Sequence, residues 1–425
     1  MRIAHALLDE VGEDPAAIEH RERIELEGAE LRVVDELHIE LTDVDACFRH
    51  DPEWIAVVSR HAGETGPLLT AHIPGNVAGA EFGGEPYTLP PACPGPLRAY
   101  LSQLAETVPE GYDIGLECTH HGPTEVSRPI MFVEIGSGPT QWEDGDAARA
   151  VARALWAVRD VTAQTDMQIA GFGGGHYAPR FQRILEDTTW AVGHIAPDWA
   201  LESVERDRLS SVIEAVFEQS HTSYGVVDGD HPEVEHLITN LGYTHVSERW
   251  LRASSAVGLA VIDRLEDALE PVDEGLELGD RADRSIGQFT VVTLPDKLLV
   301  ECASIDRTAT RTIITDWSVA FTTDEEGSIP GGVIAVIAET HLTSVIDALV
   351  ALLTERYDEV VRDGDRVRCS REVFDPERAR ELGVPEGPLF GDLAAGESIT
   401  VDNGVIDPHH VTKQEIIEFD LTVDV

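Results

Sequence analysis

Lysine is almost absent from this chain. Only Lys297 and Lys413 occur among the 425 residues, so arginine supplies nearly all of the positive charge. The 79 acidic and 31 basic residues give a formal net charge of -48. Such a surface repels itself in dilute buffer, whereas molar salt shortens the Debye length to roughly 3 Å. The composition therefore indicates adaptation to a salt-rich cytosol. The alternative is an acidic protein that binds cations or basic partners, which the even spread of the acids disfavours.

Paired cysteines and long apolar runs are also missing. The five cysteines form no CxxC pair and lie far apart, which disfavours a disulfide framework and a zinc ribbon. No stretch approaches the run of about 18 apolar residues that a membrane helix needs, and the first residues lack the apolar segment of a signal peptide. We therefore expect a cytoplasmic protein that has no membrane partner.

Several common catalytic motifs are absent as well. The chain has no GxxxxGK phosphate loop, no HExxH helix, no GxSxG elbow and no GxGxxG in the setting of a dinucleotide site. These absences exclude the reactions that depend on those motifs. Water-based hydrolysis assisted by histidine, with or without zinc, is the chemistry that remains.

The residues that are present predict an α/β fold. Short apolar runs such as residues 68–72 and 130–135 predict strands, and the runs alternate with helical patterns. We expect a mostly parallel or mixed sheet flanked by helices, followed by a second, smaller acidic α/β portion and a short C-terminal segment. The predicted boundaries are 1–250 for the catalytic domain, 251–370 for the acidic middle region and 371–425 for the C-terminal segment, because the length exceeds what one core organises.

The first candidate site follows the predicted strand 113–118. Residues 117–123 read ECTHHGP. In a loop, His120 and His121 can converge on one ligand or divide the work of metal ligand and base. The alternative is that one of them only holds its loop by a hydrogen bond. Glu117 is a candidate metal ligand, a carboxylate that orients a histidine, or a capping acid.

The second candidate site is rich in glycine. Residues 173–177 read GGGHY, and such a glycine run usually marks positive φ angles or a ligand close to the main chain. Exposed N–H groups there can hold a phosphate or a developing oxyanion. The alternative is a tight turn in which His176 is incidental. His72, His194 and Glu134 are supporting candidates, because each lies near a predicted strand end.

Taken together, several stretches resemble the archaeal-type D-aminoacyl-tRNA deacylases, a family that includes the plant ethanol-tolerance deacylase. The stretches are 59–61 with 70–76, 117–124, 132–137, 173–179 and 193–195. The resemblance covers about residues 54–251, and the acidity indicates a haloarchaeon-like source. The chain departs from the family pattern at its start, where it opens directly on the helical pattern of Ile3, Leu7 and Leu8.

The resemblance implies hydrolysis of the ester bond that joins a D-amino acid to the 3′ end of tRNA, with zinc as the family cofactor. The products are free D-amino acid and tRNA. Two alternatives stay open: a metal-dependent hydrolase of a small ester or amide, and a non-catalytic tRNA-binding protein. Composition and spacing carry no information on chirality. We expect a monomer or a homodimer.

These hypotheses assign a role to each candidate residue. The predicted catalytic residues are His120, His121, His176 and Glu117. The predicted substrate-binding residues are Gly173, Gly174, Gly175, Thr119, Tyr177 and His72. The predicted zinc ligands are His121, His176 and His194. The assignments require the two loops to meet at one edge of the sheet.

Overall fold

Contacts within the chain divide it into two units, Met1–Arg252 (unit 1) and Ala253–Val425 (unit 2). The computed structural model describes residues 2–324, 329–401 and 404–423. The elements of unit 1, in chain order, are α1 (Arg2–Glu10), β1 (Arg23–Leu26), β2 (Ala29–Arg32), β3 (Ile55–Arg60), β4 (Leu68–His72), α2 (Pro94–Thr107), β5 (Asp113–Leu116), β6 (Ile130–Gly136), α3 (Pro139–Trp142), α4 (Gly145–Ala157), β7 (Gln168–Gly173), α5 (Pro179–Asp187), β8 (Ala191–Ala196), α6 (Asp198–Ser203), α7 (Leu209–Gln219), β9 (Tyr224–Asp228), α8 (Pro232–Asn240), β10 (Thr244–His245) and α9 (Glu248–Val257).

Two four-stranded sheets organise unit 1. The first has the order β3-β6-β4-β5 and is mixed, because β4 pairs with β6 antiparallel while β3/β6 and β4/β5 are parallel pairs. The second has the order β10-β9-β7-β8 and is wholly parallel. Strands β4, β6, β7 and β8 are buried along their whole length, as expected for strands covered on both faces.

Local sequence explains where the helices of unit 1 begin. Helices α2 and α5 start with a proline, whose fixed φ suits the first helical turn. Asp144 caps α4 by accepting hydrogen bonds from the backbone N–H groups of Asp146 and Ala147. The apolar stripes of these helices face the sheets, as in α2, where Leu97, Leu101 and Leu104 are buried.

Unit 2 is built mainly from antiparallel sheets and helices. Its elements are α10 (Leu259–Ala268), β11 (Glu277–Leu278), β12 (Thr290–Thr293), α11 (Asp296–Ile305), α12 (Arg307–Trp317), β13 (Ala320–Asp324), β14 (Ile329–Val336), α13 (Glu339–Leu352), β15 (Glu359–Asp363), β16 (Arg366–Phe374), α14 (Pro376–Glu381), α15 (Pro388–Ala394), β17 (Ile399–Val401), β18 (Gly404–Ile406) and β19 (Thr412–Asp420). The strands form the sheets β11-β13-β14-β12, β15-β16-β19 and β17-β18. Residues of the first two sheets share one apolar core, and a separate small core lies within 379–411.

The predicted fold class is confirmed: mixed and parallel sheets flanked by helices, followed by a second α/β portion. The three-part division at residues 250 and 370 stays a prediction. All five cysteines are free thiols, in agreement with the absence of paired spacings. No helix in the described ranges combines the length and the apolar character needed to cross a bilayer.

Candidate active site and metal centre

The two predicted loops meet at the end of strand β5. The chain leaving β5 forms an isolated antiparallel bridge between Glu117 and Tyr177. The backbone N–H of Cys118 donates to the carbonyl of His176 at 2.8 Å, and that of Thr119 donates to the carbonyl of Ile195 at 2.9 Å. The histidine pair that follows β5 is therefore held by backbone hydrogen bonds beside the glycine loop that follows β7.

Four imidazole rings form a compact cluster at this junction. The ring centroid of His120 lies 4.3 Å from that of His72, 4.4 Å from that of His121 and 4.6 Å from that of His176. His121 adopts a positive φ of 47°, a conformation uncommon outside glycine. The structure thus brings the three predicted catalytic histidines together and adds His72 to them.

Glu117 lies among these rings. Its Oε1 is 3.1 Å from His61 Nε2 and 3.7 Å from His176 Nε2. Its Oε2 is 3.1 Å from His72 Nδ1 and 3.9 Å from His120 Nε2. Burial raises the pKa of this carboxyl, but the imidazoles of His176 and His72 lower it by more, so the net pKa lies well below the usual range for glutamate. Glu117 is therefore a carboxylate at neutral pH.

Two histidines of the cluster, His120 and His121, are held in the neutral form. Burial, with the neighbouring rings of His72 and His121, places the pKa of His120 well below its ordinary value. Burial and His72 lower the pKa of His121 to about 3. A neutral imidazole has a free lone pair, which can bind a metal ion or accept a proton. Crowding of the rings in a low-dielectric site thus prepares them for either role.

The donor atoms of the cluster fit a metal ion. Four overlapping sets of three ligand atoms lie within 4.8 Å of one another: His72/His120/His121, Cys118/His120/His176, His61/Glu117/His176 and His72/Glu117/Glu134. Within the described ranges, Glu117 Oε1, Glu117 Oε2 and His72 Nδ1 are buried and have no partner in hydrogen-bonding geometry. Buried polar atoms without such partners are rare and costly. A cation shared between them would satisfy all three.

Thr119 and His194 lie beside the cluster and pair with each other. Thr119 Oγ1 is 3.0 Å from His194 Nδ1 and accepts a hydrogen bond from the Ile195 N–H. The other ring nitrogen, His194 Nε2, is 2.8 Å from the Pro90 carbonyl oxygen. Both nitrogens of this fully buried ring therefore have partners in the protein. His194, predicted from the sequence as a zinc ligand, instead joins β8 to the histidine loop through its contact with Thr119. The Thr119 side chain faces His194 rather than the solvent.

The buried ring of His194 makes stability depend on pH. Burial lowers its pKa from 6.5 to about 4, so the unfolded chain binds a proton more readily than the folded one between these values. The contribution of this ring to the free energy of unfolding is therefore fully present above pH 6.5. It should be lost as pH falls through 4, and the loss should be up to about 3 kcal/mol. Denaturant titration of the protein and of His194→Gln between pH 7 and pH 4 measures the effect. The variant should have a shallower pH dependence, and equal slopes would contradict the assignment.

The glycine loop leaves no room for side chains at its first two positions. Gly173 and Gly174 have φ angles of 89° and 78°. A Cβ on Gly173 would lie 2.0 Å from the Asp228 carbonyl oxygen, and one on Gly174 would lie 2.8 Å from Asp228 Oδ2. Gly175 is different, because its added Cβ would be 3.9 Å from the nearest atom, the Tyr177 carbonyl oxygen.

This difference provides a matched pair of variants. Gly174→Ala should destabilise unit 1 by about 1 kcal/mol or more and displace the His176 loop, because alanine rarely adopts the required φ. Gly175→Ala should leave stability and turnover nearly unchanged. Thermal unfolding and hydrolysis rates of the two variants test the contrast. Equal behaviour of the two would show that the backbone at Gly174 is not constrained.

Two residues of the cluster, His61 and Cys118, were not assigned a site role from the sequence, and Glu134 was a supporting candidate without a specific role. His61 follows β3 and contacts Glu117, Tyr177 and Ser137; its Nε2 lies 3.0 Å from the Tyr177 hydroxyl. Cys118 Sγ is 4.0 Å from His176 Nδ1, and burial beside Glu117 raises the pKa of this thiol to about 12. Glu134 lies on β6, where burial raises the pKa of its carboxyl. His61 directly follows β3, and its place in the matching stretch 59–61 was the available signal.

The fold and the cluster define an α/β protein that has a buried histidine–carboxylate centre able to hold a metal ion. Residues 48–246 match the family model described as D-aminoacyl-tRNA deacylase. Together with the relatives described next, which match more than nine-tenths of the chain at 42% to 44% identity, this match shows that the chain belongs to the D-aminoacyl-tRNA deacylase family.

Individual relatives extend the match to most of the chain. A D-aminoacyl-tRNA deacylase of Natronomonas pharaonis is 44% identical over 394 residues, with 92% of this chain and 89% of the relative covered. The protein of the same description from Haloarcula marismortui is 42% identical over 411 residues, with 93% and 90% covered. A crystal structure of a conserved protein of unknown function is similar at 27% identity with a TM-score of 0.51, covering 59% of this chain and 92% of that one.

Proposed function

We propose that this chain hydrolyses the ester bond between a D-amino acid and the 3′ end of tRNA, releasing free D-amino acid and tRNA. The observation that carries the proposal is the buried Glu117 carboxylate surrounded by His61, His72, His120 and His176. It lies in a chain that is 44% identical to a D-aminoacyl-tRNA deacylase over nine-tenths of its length. An ester needs an activated water and a group that protonates the leaving oxygen, and this cluster can supply both.

We further propose that the resident metal is zinc. The ligand sets combine imidazole nitrogen, carboxylate oxygen and one thiol, the donor types that zinc accepts. His72, His120 and His121 form one set, and His61, Glu117 and His176 form another. When bound, zinc lowers the pKa of a coordinated water to about 7 and polarises a carbonyl. His121 and His176 keep their predicted ligand role in this proposal, and His194 does not.

The proposed roles of the cluster residues differ according to their exposure to solvent. His176 has 39% of its side chain exposed, whereas Glu117 and His72 are fully buried. The substrate ester therefore meets the cluster at His176, and a ring nitrogen of His176 that does not hold the metal can take a proton from water and return it to the leaving 3′ oxygen. Glu117 holds the neighbouring rings in fixed orientations. The main-chain N–H groups of Gly174 and Gly175 adjoin His176, where a developing oxyanion needs donors.

The enzyme is further proposed to work in a cytoplasm of high ionic strength. A net charge of -48 and relatives from salt-loving archaea support function in the cytoplasm of a cell that accumulates salt. The tRNA substrate is then bound at high ionic strength. We expect the chain to act there as a monomer or a homodimer.

One experiment tests the function directly. Purified protein is incubated in molar potassium chloride with D-tyrosyl-tRNA and with L-tyrosyl-tRNA, each with and without a metal chelator. We expect release of D-tyrosine, much slower release of L-tyrosine, and loss of activity with the chelator that zinc restores. Equal rates on the two stereoisomers would remove the chirality claim. Full activity after metal removal would show that the reaction does not need zinc.

A further inference from the structure

Two exposed aromatic rings lie next to the site loops. Of the seven Trp, seven Tyr and eleven Phe residues, all within the described ranges, Trp199 and Phe82 are the ones that are mainly exposed, at 48% and 68%. The other exposed large apolar residues are aliphatic. Aromatic rings are usually covered in a folded protein because each buries a large apolar area. The exposure of Trp199 and Phe82 to solvent therefore requires an explanation.

The main chain at or next to each of these residues is hydrogen-bonded to one of the two site loops. The N–H of Asp198, the residue before Trp199, donates to the Gly174 carbonyl at 2.9 Å. The Phe82 carbonyl accepts from the N–H of Gly122, the residue after His121, at 3.1 Å. The start of α6, which carries Trp199, is thus held against the loop of His176, and the segment that carries Phe82 is held against the loop of His121. Both loops carry the cluster where it opens to solvent.

We propose that Trp199 and Phe82 form a stacking surface for the unpaired bases at the 3′ end of the RNA substrate. The inference rests on the proposed function, because the ester that reaches His176 is attached to the terminal nucleotide. Unpaired bases stack on aromatic side chains whatever their sequence, since every base has a π face. A stacking surface at both loops would hold the last nucleotides while the ester lies at the cluster.

Charge explains why this surface is aromatic rather than basic. Glu81 and Glu85 are exposed on either side of Phe82, and Asp198 and Glu202 flank Trp199, so no cation beside either ring in sequence can hold a phosphate. In molar salt phosphate contacts contribute little, because counterion release no longer favours binding. Stacking does not depend on ion release. An RNA-binding enzyme with a net charge of -48 needs this kind of contact.

The test separates binding from chemistry. Trp199→Ala and Phe82→Ala are compared with the protein for kcat and KM on D-tyrosyl-tRNA in molar potassium chloride. Affinity for a fluorescently labelled RNA oligonucleotide that carries no amino acid and has the same unpaired 3′ end is measured by anisotropy. Each substitution should weaken oligonucleotide binding and raise KM by about tenfold, with kcat changed by less than about threefold.

Two further variants make the result specific. Trp199→Phe retains a ring and should restore most of the affinity. Val405→Ala removes an apolar side chain that is 69% exposed in unit 2 and should change nothing. Unchanged oligonucleotide affinity in both alanine variants would overturn the stacking inference. A protein that binds the oligonucleotide through these rings but does not hydrolyse D-tyrosyl-tRNA would contradict the proposed function and leave the stacking surface in place.

Discussion

Glu117→Gln is expected to lower the turnover of D-aminoacyl-tRNA by on the order of a hundredfold or more. The substitution preserves shape and volume but removes the negative charge that faces His61, His72, His120 and His176. It also removes one acceptor oxygen and introduces an N–H₂ group that would be buried against imidazole nitrogens. We therefore expect reduced metal content together with the loss of turnover, measured by single-turnover kinetics and by metal analysis of the same preparation.

The matched control is Glu106→Gln, at an exposed glutamate near the C-terminal end of α2 and outside the loops of the cluster. It makes the same chemical change without touching the imidazoles and should leave turnover and metal content unchanged. His121→Ala and His176→Ala should each lower turnover to a similar extent as Glu117→Gln while near-native circular dichroism is retained. Normal turnover in Glu117→Gln with the fold intact would move the chemistry away from this cluster.

Transfer from molar potassium chloride to about a tenth molar is expected to abolish most of the activity and to unfold part of the protein. The reason is the net charge of -48, for which only 31 basic residues are available as partners. The Debye length grows from roughly 3 Å to roughly 10 Å over this change, so many acidic side chains that were screened from one another then interact. Repulsion between the acidic protein and the RNA phosphates grows in the same way.

The rate should therefore rise with salt before any decline, which is the opposite of the usual weakening of nucleic-acid binding by salt. Circular dichroism and hydrolysis rates across a salt series measure the two effects separately. Sucrose at matched osmolality, which does not screen charge, should not replace the salt. Full activity at about a tenth molar salt would show that self-repulsion is not decisive for this protein.

Strong local patterns made much of unit 1 predictable. Strands β3, β4, β5, β6 and β8 fall on apolar runs that are visible in the sequence, and α5 begins at Pro179 as proline at a first helical position predicts. Of these segments, β4, β6 and β8 are buried along their whole length, and α5 carries a distinct start signal. The order of the strands was not accessible, because pairing depends on contacts between residues far apart in the chain.

The candidate site was predictable only in part. His120, His121 and His176 were singled out because histidines and glycines stand out in loops that follow strands, and the structure places them together. His61 was not assigned and Glu134 was only a supporting candidate, because both join the cluster through the pairing of β3 with β6 in register, Ser59 opposite Glu134. His194 shows the reverse: its type and position matched those of a ligand, but its two ring nitrogens are used by Thr119 and Pro90.

The sequence by itself determined the α/β class, the extreme acidity and the two loops proposed to carry the chemistry, because these depend on local periodicity and on composition. The tertiary structure alone decided which donors share one centre. Glu117 lies at the middle of the imidazoles because the segment after β5 runs between the glycine loop and β8, held by the hydrogen bonds from Cys118 and Thr119 to His176 and Ile195. Such contacts between distant segments form only once two sheets have packed, and the imidazoles that they bring to Glu117 are also what hold its pKa low against the opposing effect of burial.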